Sequence, residues 1–165
     1  MLDKIMNMIS ERRIGFKMDE VMSGEHEFVN DFGPPGKFPM EFRITWGPED
    51  LSVWGNPFNE DFMCQPLEGT VTIAGICEDA PCSGTLELKY FTEAKLRYTF
   101  QFEDEGRKFN YVGEKINLRP WNLHKTHTTC YGTLTDAETG EEISKSITYF
   151  HLSTTPDFVT SFRLV

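Results

Sequence analysis

Hydrophobic and polar residues alternate with a period of two along several stretches of the chain. Residues 38–46 and 95–103 show the pattern most clearly, because a large apolar or aromatic residue occupies every second position. Successive side chains of a β-strand point to opposite faces, so each stretch predicts a strand with one buried and one solvated face. Similar patterns predict strands over 16–29, 67–77, 84–92, 107–118, 126–135, 142–152 and 157–164.

Short glycine-containing turns separate many of these stretches, as at 104–106 and 138–141. Gly supplies the positive φ that tight hairpin turns require. Consecutive strands joined in this way form an antiparallel meander, and closing the meander removes its exposed edges. We therefore predict a mainly β fold, an antiparallel up-and-down barrel of about eight or nine strands.

The two segments outside this pattern predict different structure. Leu2, Ile5, Met6 and Ile9 have the spacing of one apolar helix face, which predicts a short N-terminal helix over 1–13. Residues 16–165 then form the barrel, and 1–165 is a single domain. Residues 47–66 contain several Pro and Gly and predict a long loop or short helical turn, which either acts as a lid over one barrel mouth or only plugs it.

Composition and charge narrow the class of protein. The chain has 14 Phe, 5 Tyr and 3 Trp but Ala only at positions 74, 80, 94 and 137, which favours strands over helices. A net charge of -10 argues against binding to nucleic-acid phosphates. No membrane span and no secretory signal is visible, so we expect a cytoplasmic protein. In that compartment Cys77 and Cys82 are expected as free thiols, with a disulfide as the alternative.

Most residues that could bind a metal or act in catalysis also have an ordinary structural explanation. His124, His127 and Cys130 have a spacing seen in zinc sites. Residues three positions apart on a strand point to opposite faces, however, so we predict no metal site. A Cys130 nucleophile with His127 as its base is a weaker hypothesis, because neither a lowered thiol pKa nor a positioned base is visible in a sequence.

Acidic pairs and cofactor motifs add no catalytic assignment. The carboxylate pairs at 19–20, 25–27 and 141–142 have polar neighbours, so we expect them on solvated faces. The glycine-rich and nucleophile motifs of dinucleotide, nucleoside triphosphate and serine hydrolase sites do not occur. We therefore predict no cofactor and no catalytic residue.

The aromatic interior is the remaining candidate for function. A barrel of about eight strands is either filled by its side chains or holds one small ligand, and the same residues suit both cases. If the barrel is hollow, seven side chains are candidates for ligand binding: Trp46, Tyr98, Phe100, Tyr111, Lys115, His127 and Tyr131.

The order of short motifs resembles a known family. The stretches 16–24, 38–45, 67–71, 96–102, 113–115, 128–131 and 158–163, with Trp121, resemble the β-barrel accessory region beside cholesterol-oxidase-like flavin enzymes of the glucose-methanol-choline oxidoreductase group. The chain has neither the flavin-binding domain nor the catalytic base of that group. The resemblance thus implies a free-standing barrel, similar in shape to the lipocalins and other calycins, without the oxidoreductase activity. Lys115 and Tyr131 match recurring motif positions to which no role is attached.

Three functions are consistent with this sequence. The first is a non-catalytic module that binds a small apolar or lipid-like ligand inside the barrel. The second is a filled barrel that acts through its outer face as an interaction or regulatory partner of a separate oxidoreductase or hydrolase. The third is a small enzyme with His124, His127 and Tyr131 as acid and base groups at a barrel mouth. We expect the first, and do not expect an enzyme.

Overall fold

The computed structural model describes residues 2, 3, 5, 14–119, 121, 129–151 and 155–165. Two short helices lie in this part of the chain, α1 (Leu51–Trp54) and α2 (Thr155–Thr160). Its strands are β1 (Phe16–Phe28), β2 (Phe38–Trp46), β3 (Cys64–Ile73), β4 (Cys77–Lys89), β5 (Lys95–Asp104), β6 (Arg107–Lys115), β7 (Thr129–Asp136), β8 (Glu142–Phe150) and β9 (Arg163–Leu164). Within the described residues, no helix has the length and apolar character needed to cross a membrane. The helix expected over 1–13 lies for the most part outside them.

Eight of the strands form a closed antiparallel barrel. Each strand from β1 to β7 pairs with the next one along the chain, and β8 pairs back to β1. On β1, Gly24 faces Met40 of β2 on one side and Thr148 of β8 on the other. The prediction of an up-and-down barrel is confirmed. The short strand β9 extends the sheet by pairing with Phe16 and Lys17 at the start of β1.

Aromatic side chains fill the middle of the barrel and one of its ends. Phe42 lies 5.5 Å from Phe100 and 5.7 Å from Tyr111, measured between ring centroids, and Phe100 stacks on Tyr111 at 4.5 Å. Phe102 and Phe109 stack in the same way at 5.0 Å. Burying one such side chain stabilises the fold by about 1.5–3 kcal/mol. This part of the interior is a packed hydrophobic core.

Two facing glycines make room for one of these rings. Gly113 of β6 pairs with Gly132 of β7. A Cβ atom on Gly132 would lie 2.3 Å from the hydroxyl oxygen of Tyr111 and 2.4 Å from Oγ of Ser146. A Cβ atom on Gly113 would lie 2.7 Å from the same hydroxyl. The absence of side chains at both positions therefore allows Tyr111 to cross the barrel interior.

The connections at the two ends of the barrel differ in length. At one end the strands are joined by residues 29–37, 74–76, 105–106 and 137–141. At the other end the connections are 47–63, 90–94, 116–128 and 151–162. We call this second end the long-loop end. Long connections are the parts of a barrel in which binding residues most often lie, because the strands beneath them form a rigid support.

The β3–β4 hairpin turns earlier than predicted. Strands over 67–77 and 84–92 placed the turn near Pro81, but the turn is at 74–76 and Gly75 has a φ of 85°. Cys77 and Cys82 consequently both lie on β4. Pro81 pairs with Thr70 of β3, beyond a bulge in which two residues of β4 oppose Thr72. The pairing of β4 with β5 begins only at Cys82, so Pro81 lies at the edge of that ladder, where a proline is tolerated.

The chain after β8 also differs from the prediction. Residues 157–164 were expected to be a strand, but Thr155–Thr160 form the helix α2 and the strand is limited to Arg163–Leu164. Pro156 lies in the first turn of this helix, where its fixed φ and missing N–H group are compatible with helical structure. The Oγ atom of Ser161 accepts a hydrogen bond of 2.9 Å from the backbone N–H of Asp19, which holds the end of α2 against β1.

The segment 47–66 contains α1 and is tied to the barrel by hydrogen bonds. The backbone N–H of Leu51 donates to the carbonyl of Ile14 at 2.7 Å, and that of Leu88 donates to the carbonyl of Met63 at 2.9 Å. Nε1 of Trp54 donates to the side-chain oxygen of the buried Gln65 at 2.6 Å. The segment thus packs against the long-loop end through both backbone and side-chain contacts.

Candidate functional site

A cavity of about 250 Å³ lies inside the barrel at the long-loop end. Its lining residues come from six strands, from the connection between β4 and β5 and from α2: Glu20, Trp46, Leu86, Leu88, Tyr90, Leu96, Tyr98, Lys115, Phe150 and Phe158. Eight of these ten side chains are aliphatic or aromatic. The sequence left open whether the barrel is filled or hollow, and the structure combines both cases, because the middle is packed and this end is not.

A network of polar groups is buried in the wall of this cavity. One carboxylate oxygen of Glu20 accepts a hydrogen bond of 3.0 Å from the hydroxyl of Tyr98 and one of 3.1 Å from Nζ of Lys115. The other oxygen accepts a hydrogen bond of 3.1 Å from Nε1 of Trp46. Only 1% of the Lys115 side chain and 5% of the Glu20 side chain are exposed, so this is a fully buried ion pair.

Strand periodicity brings the two charged residues to the inner face. On β6, Lys115 follows the buried residues Phe109, Tyr111 and Gly113 at intervals of two. On β1, Glu20 stands two residues before the buried Met22. Two charges 95 residues apart in the chain therefore meet, because β1 and β6 enclose the same interior.

The position of Glu20 corrects the expectation that residues 19–20 form a solvated acidic pair. Asp19 faces outward, where its carboxylate contacts the guanidinium of Arg163 at 3.2 Å. Glu20 faces inward and is buried. The expectation considered only the polarity of sequence neighbours, whereas the face of a strand is decided by position relative to residues two away. Met22 was the signal that could have identified Glu20 as an interior residue.

The phenol groups of the cavity remain protonated at neutral pH. Burial, with a further contribution from the charge of Glu20, raises the pKa of Tyr98 well above its ordinary value. The same two causes raise the pKa of Tyr90 to about 12. Tyr98 is therefore a neutral hydrogen-bond donor to Glu20, and neither phenol supplies an anion for catalysis.

The ammonium group of Lys115 also lies near two aromatic rings. Its Nζ atom is 5.3 Å from the ring centroid of Tyr98 and 6.0 Å from that of Phe150. Phe150 in turn makes an edge contact with Phe158 of α2, at a centroid distance of 5.3 Å. Together with Glu20, these two phenylalanines also line a groove on the outside of the barrel beside α2. They thus lie between the cavity and the outer surface.

The seven residues proposed from the sequence occupy different places. Trp46, Tyr98 and Lys115 line the cavity. Phe100 and Tyr111 belong to the packed middle of the barrel and do not line the cavity. Tyr131 is about half exposed and lies on the outer face, because its neighbours Cys130 and Gly132 point inward.

The seventh candidate, His127, lies outside the described residues, as does His124. The proposed grouping of these two histidines with Tyr131 at a barrel mouth therefore stays a prediction. Among the residues that the structure describes, no group of three His, Cys, Asp or Glu side chains is arranged to hold a metal ion.

The cysteines are free thiols, as expected for Cys77 and Cys82. Burial raises the pKa of Cys77, Cys82 and Cys130 to about 11 in each case. Cys130 lies deep in the barrel, with its Sγ atom 3.9 Å from the hydroxyl oxygen of Tyr111. A thiol with a raised pKa is a poor nucleophile, because the thiolate is the reactive form.

Leu86, Leu88 and Phe158 also line the cavity, and they are among the lining residues that the sequence did not identify. Leu86 and Leu88 alternate with Glu87 and Lys89 on β4, a signal that could have identified them, whereas Phe158 lies in a segment predicted as a strand. Their common position depends on barrel closure and on the path of α2. No protein-family model matches the chain, and comparisons with curated proteins and with solved structures find no significant match.

Proposed function

We propose that the protein is a non-catalytic binding module that holds a small apolar or lipid-like molecule in its barrel, in the manner of a lipocalin. The observation that carries the proposal is the cavity of about 250 Å³ at the long-loop end, with mostly apolar walls and one buried polar network. Small-molecule sites generally combine apolar walls with a few placed polar groups that orient the ligand.

The buried ion pair supports a functional role for the cavity. Moving two charges out of water costs several kcal/mol per ion, and a buried ion pair is often no more stabilising than apolar side chains of similar size. Lys115 and Glu20 lie next to empty space and not in the packed middle of the barrel. A polar contact with a ligand would account for keeping charged groups at this position.

The protonation states favour binding over catalysis. Tyr90 and Tyr98 have raised pKa values, and so does the nearby thiol of Cys130. General acid and base groups work best with a pKa near the working pH. We also propose a cytoplasmic location, where a reducing environment would keep the four cysteines as thiols.

Native mass spectrometry and a ligand panel test this proposal. Protein purified without detergent is examined for a retained small molecule and then titrated with fatty alcohols, fatty acids, ketones and sterols. Leu88→Trp places a larger side chain in the cavity and should weaken ligand binding by about tenfold or more. Val112→Trp adds the same group on the exposed outer face of β6 and is the matched control.

The two variants make the outcome decisive. Binding that is lost in Leu88→Trp and kept in Val112→Trp supports a ligand in the cavity. No binding of any panel member to the wild type would overturn the proposal, as would equal binding by both variants.

A second candidate function rests on the outer face of β7 and β8. Tyr131, Ile147 and Tyr149 are all more than two-fifths exposed there, and Tyr131 pairs directly with Ile147. They line a groove of about 650 Å³ together with Ile116. Contiguous exposed apolar groups often mark protein contacts, so this face suits a protein partner such as a separate oxidoreductase.

Co-purification tests this second candidate. A partner that is retained by the wild type and by Leu88→Trp, but lost by Ile147→Lys, would support docking on this face. Retention of the partner by Ile147→Lys would overturn it.

A further inference from the structure

We propose that the cavity prefers ligands that end in a neutral oxygen, such as an alcohol or a ketone, over ligands that end in a carboxylate. This inference rests on the proposed binding function and specifies the chemical class of the ligand. It follows from the hydrogen bonds that the buried network leaves unused and from the net charge of that network.

The acceptor side of the network is largely occupied. Glu20 accepts three hydrogen bonds, from Tyr98, Lys115 and Trp46, which use three of the about four lone-pair sites of its carboxylate. A ligand that only donates hydrogen bonds would find about one free acceptor site there. The carboxylate of Glu20 is therefore better suited to hold the network than to recognise a ligand.

The donor side is not fully used. The ammonium group of Lys115 has three N–H bonds. Among the described residues, Glu20 is the one hydrogen-bond acceptor within reach of its Nζ atom. The Nζ atom also lies near the rings of Tyr98 and Phe150, and Lys115 lines the cavity. A ligand oxygen in the cavity would thus satisfy donors that the folded protein leaves without a strong acceptor.

The charge of the network decides which oxygen is preferred. Lys115 and Glu20 form a neutral pair, so a bound carboxylate would place one uncompensated negative charge in a buried site. It would be attracted by the ammonium and repelled by Glu20, and it would also lose its hydration. A hydroxyl or carbonyl group accepts the same hydrogen bond without this cost, so we expect a preference of about tenfold or more for the neutral ligand.

The cavity volume limits the size of the ligand. A cavity of about 150 Å³ holds benzene. In proportion, 250 Å³ has room for about ten non-hydrogen atoms. A nine-carbon chain with one polar end is of this size, whereas a larger molecule would extend out of the barrel.

Calorimetric titration of the full chain with three probes tests the inference. The probes are nonanol, a nine-carbon methyl ketone and nonanoate, at about pH 8, where the acid is ionised. The expected result is that nonanol and the ketone bind at least about tenfold more tightly than nonanoate. Nonanoate binding that equals or exceeds nonanol binding overturns the inference and leaves the proposed function standing. No binding of any of the three probes also overturns the inference, whereas the proposed function is overturned only if the wider ligand panel fails as well.

Two variants test the charge argument itself. Glu20→Gln leaves the ammonium of Lys115 uncompensated, so nonanoate should now bind more tightly than nonanol. The double variant Glu20→Gln/Lys115→Met removes both charges, and it serves if the single variant does not fold. In the double variant nonanol should lose about tenfold in affinity, because the free ammonium donors are gone. An unchanged order of affinities in Glu20→Gln, or unchanged nonanol affinity in the double variant, contradicts the inference.

Discussion

The buried ion pair allows a stability prediction whose size follows from the contacts of each partner. In Lys115→Met, the Glu20 carboxylate loses one donor but keeps hydrogen bonds from Tyr98 and Trp46. Breaking a buried pair costs about 3–5 kcal/mol, and the two remaining donors place this variant near the lower value. We expect the free energy of unfolding to fall by about 3 kcal/mol.

The opposite single variant should be more damaging. In Glu20→Gln, the buried ammonium of Lys115 keeps its charge and has at most one amide oxygen to contact. We expect a loss near the upper value, about 4–5 kcal/mol. The double variant contains no buried charge, and it should lose only about 1–2 kcal/mol, less than either single variant.

Urea unfolding followed by tryptophan fluorescence measures these differences. Lys145→Met is the matched control, because Lys145 pairs with Glu142 on the surface at 3.5 Å and its removal should cost less than about 1 kcal/mol. If the double variant lost as much as the two single variants together, the charges would be energetically independent. The reasoning from a coupled buried network would then be refuted.

Three further predictions concern other parts of the barrel. Burial lowers the pKa of His26, so between about pH 7 and about pH 5 the unfolded chain binds more protons than the folded chain. The free energy of unfolding should therefore fall as the pH is lowered through this range, and it should fall less steeply in His26→Gln. Iodoacetamide at about pH 8 should modify the half-buried Cys64 before the deeply buried Cys130, as mass spectrometry would show. Gly132→Ala should lose about 1–3 kcal/mol in urea unfolding through overlap with Tyr111, and part of that loss should be recovered when Tyr111→Phe is added. These predictions would be contradicted, in the same order, by an unfolding free energy that does not change with pH, by faster labelling of Cys130 than of Cys64, and by a Gly132→Ala variant as stable as the wild type.

The strands with strong alternation were predictable to within a few residues. β2 has the predicted bounds, and β5 and β8 differ from the prediction by one or two residues at one end. β2 and β5 repeat apolar residues at every second position, whereas the buried face of β8 carries the polar residues Ser144, Ser146 and Thr148. The β3–β4 hairpin was misplaced because Pro81 signals a turn in a sequence, whereas in the sheet Pro81 lies within β4, just before the pairing of β4 with β5 begins.

The candidate site was only partly predictable. Trp46 and Tyr98 were selected because alternation put them on apolar faces, and Lys115 because of its motif position. Tyr131 was selected as well, although its own strand directs it outward. Glu20 was passed over because a carboxylate surrounded by polar neighbours is usually solvated, and the opposite outcome depends on a partner from a distant strand.

The amino-acid sequence by itself determined the strands with strong apolar alternation and the inward or outward direction of their side chains, because both depend on the local period of two. Only the tertiary structure decided that the sheet closes, that the packed rings stop short of the long-loop end, and that Lys115 meets Glu20 there. These features arise from contacts between residues far apart in the chain. Local periodicity therefore specifies the wall of this barrel, while the shape and chemistry of its cavity depend on how the strands come together.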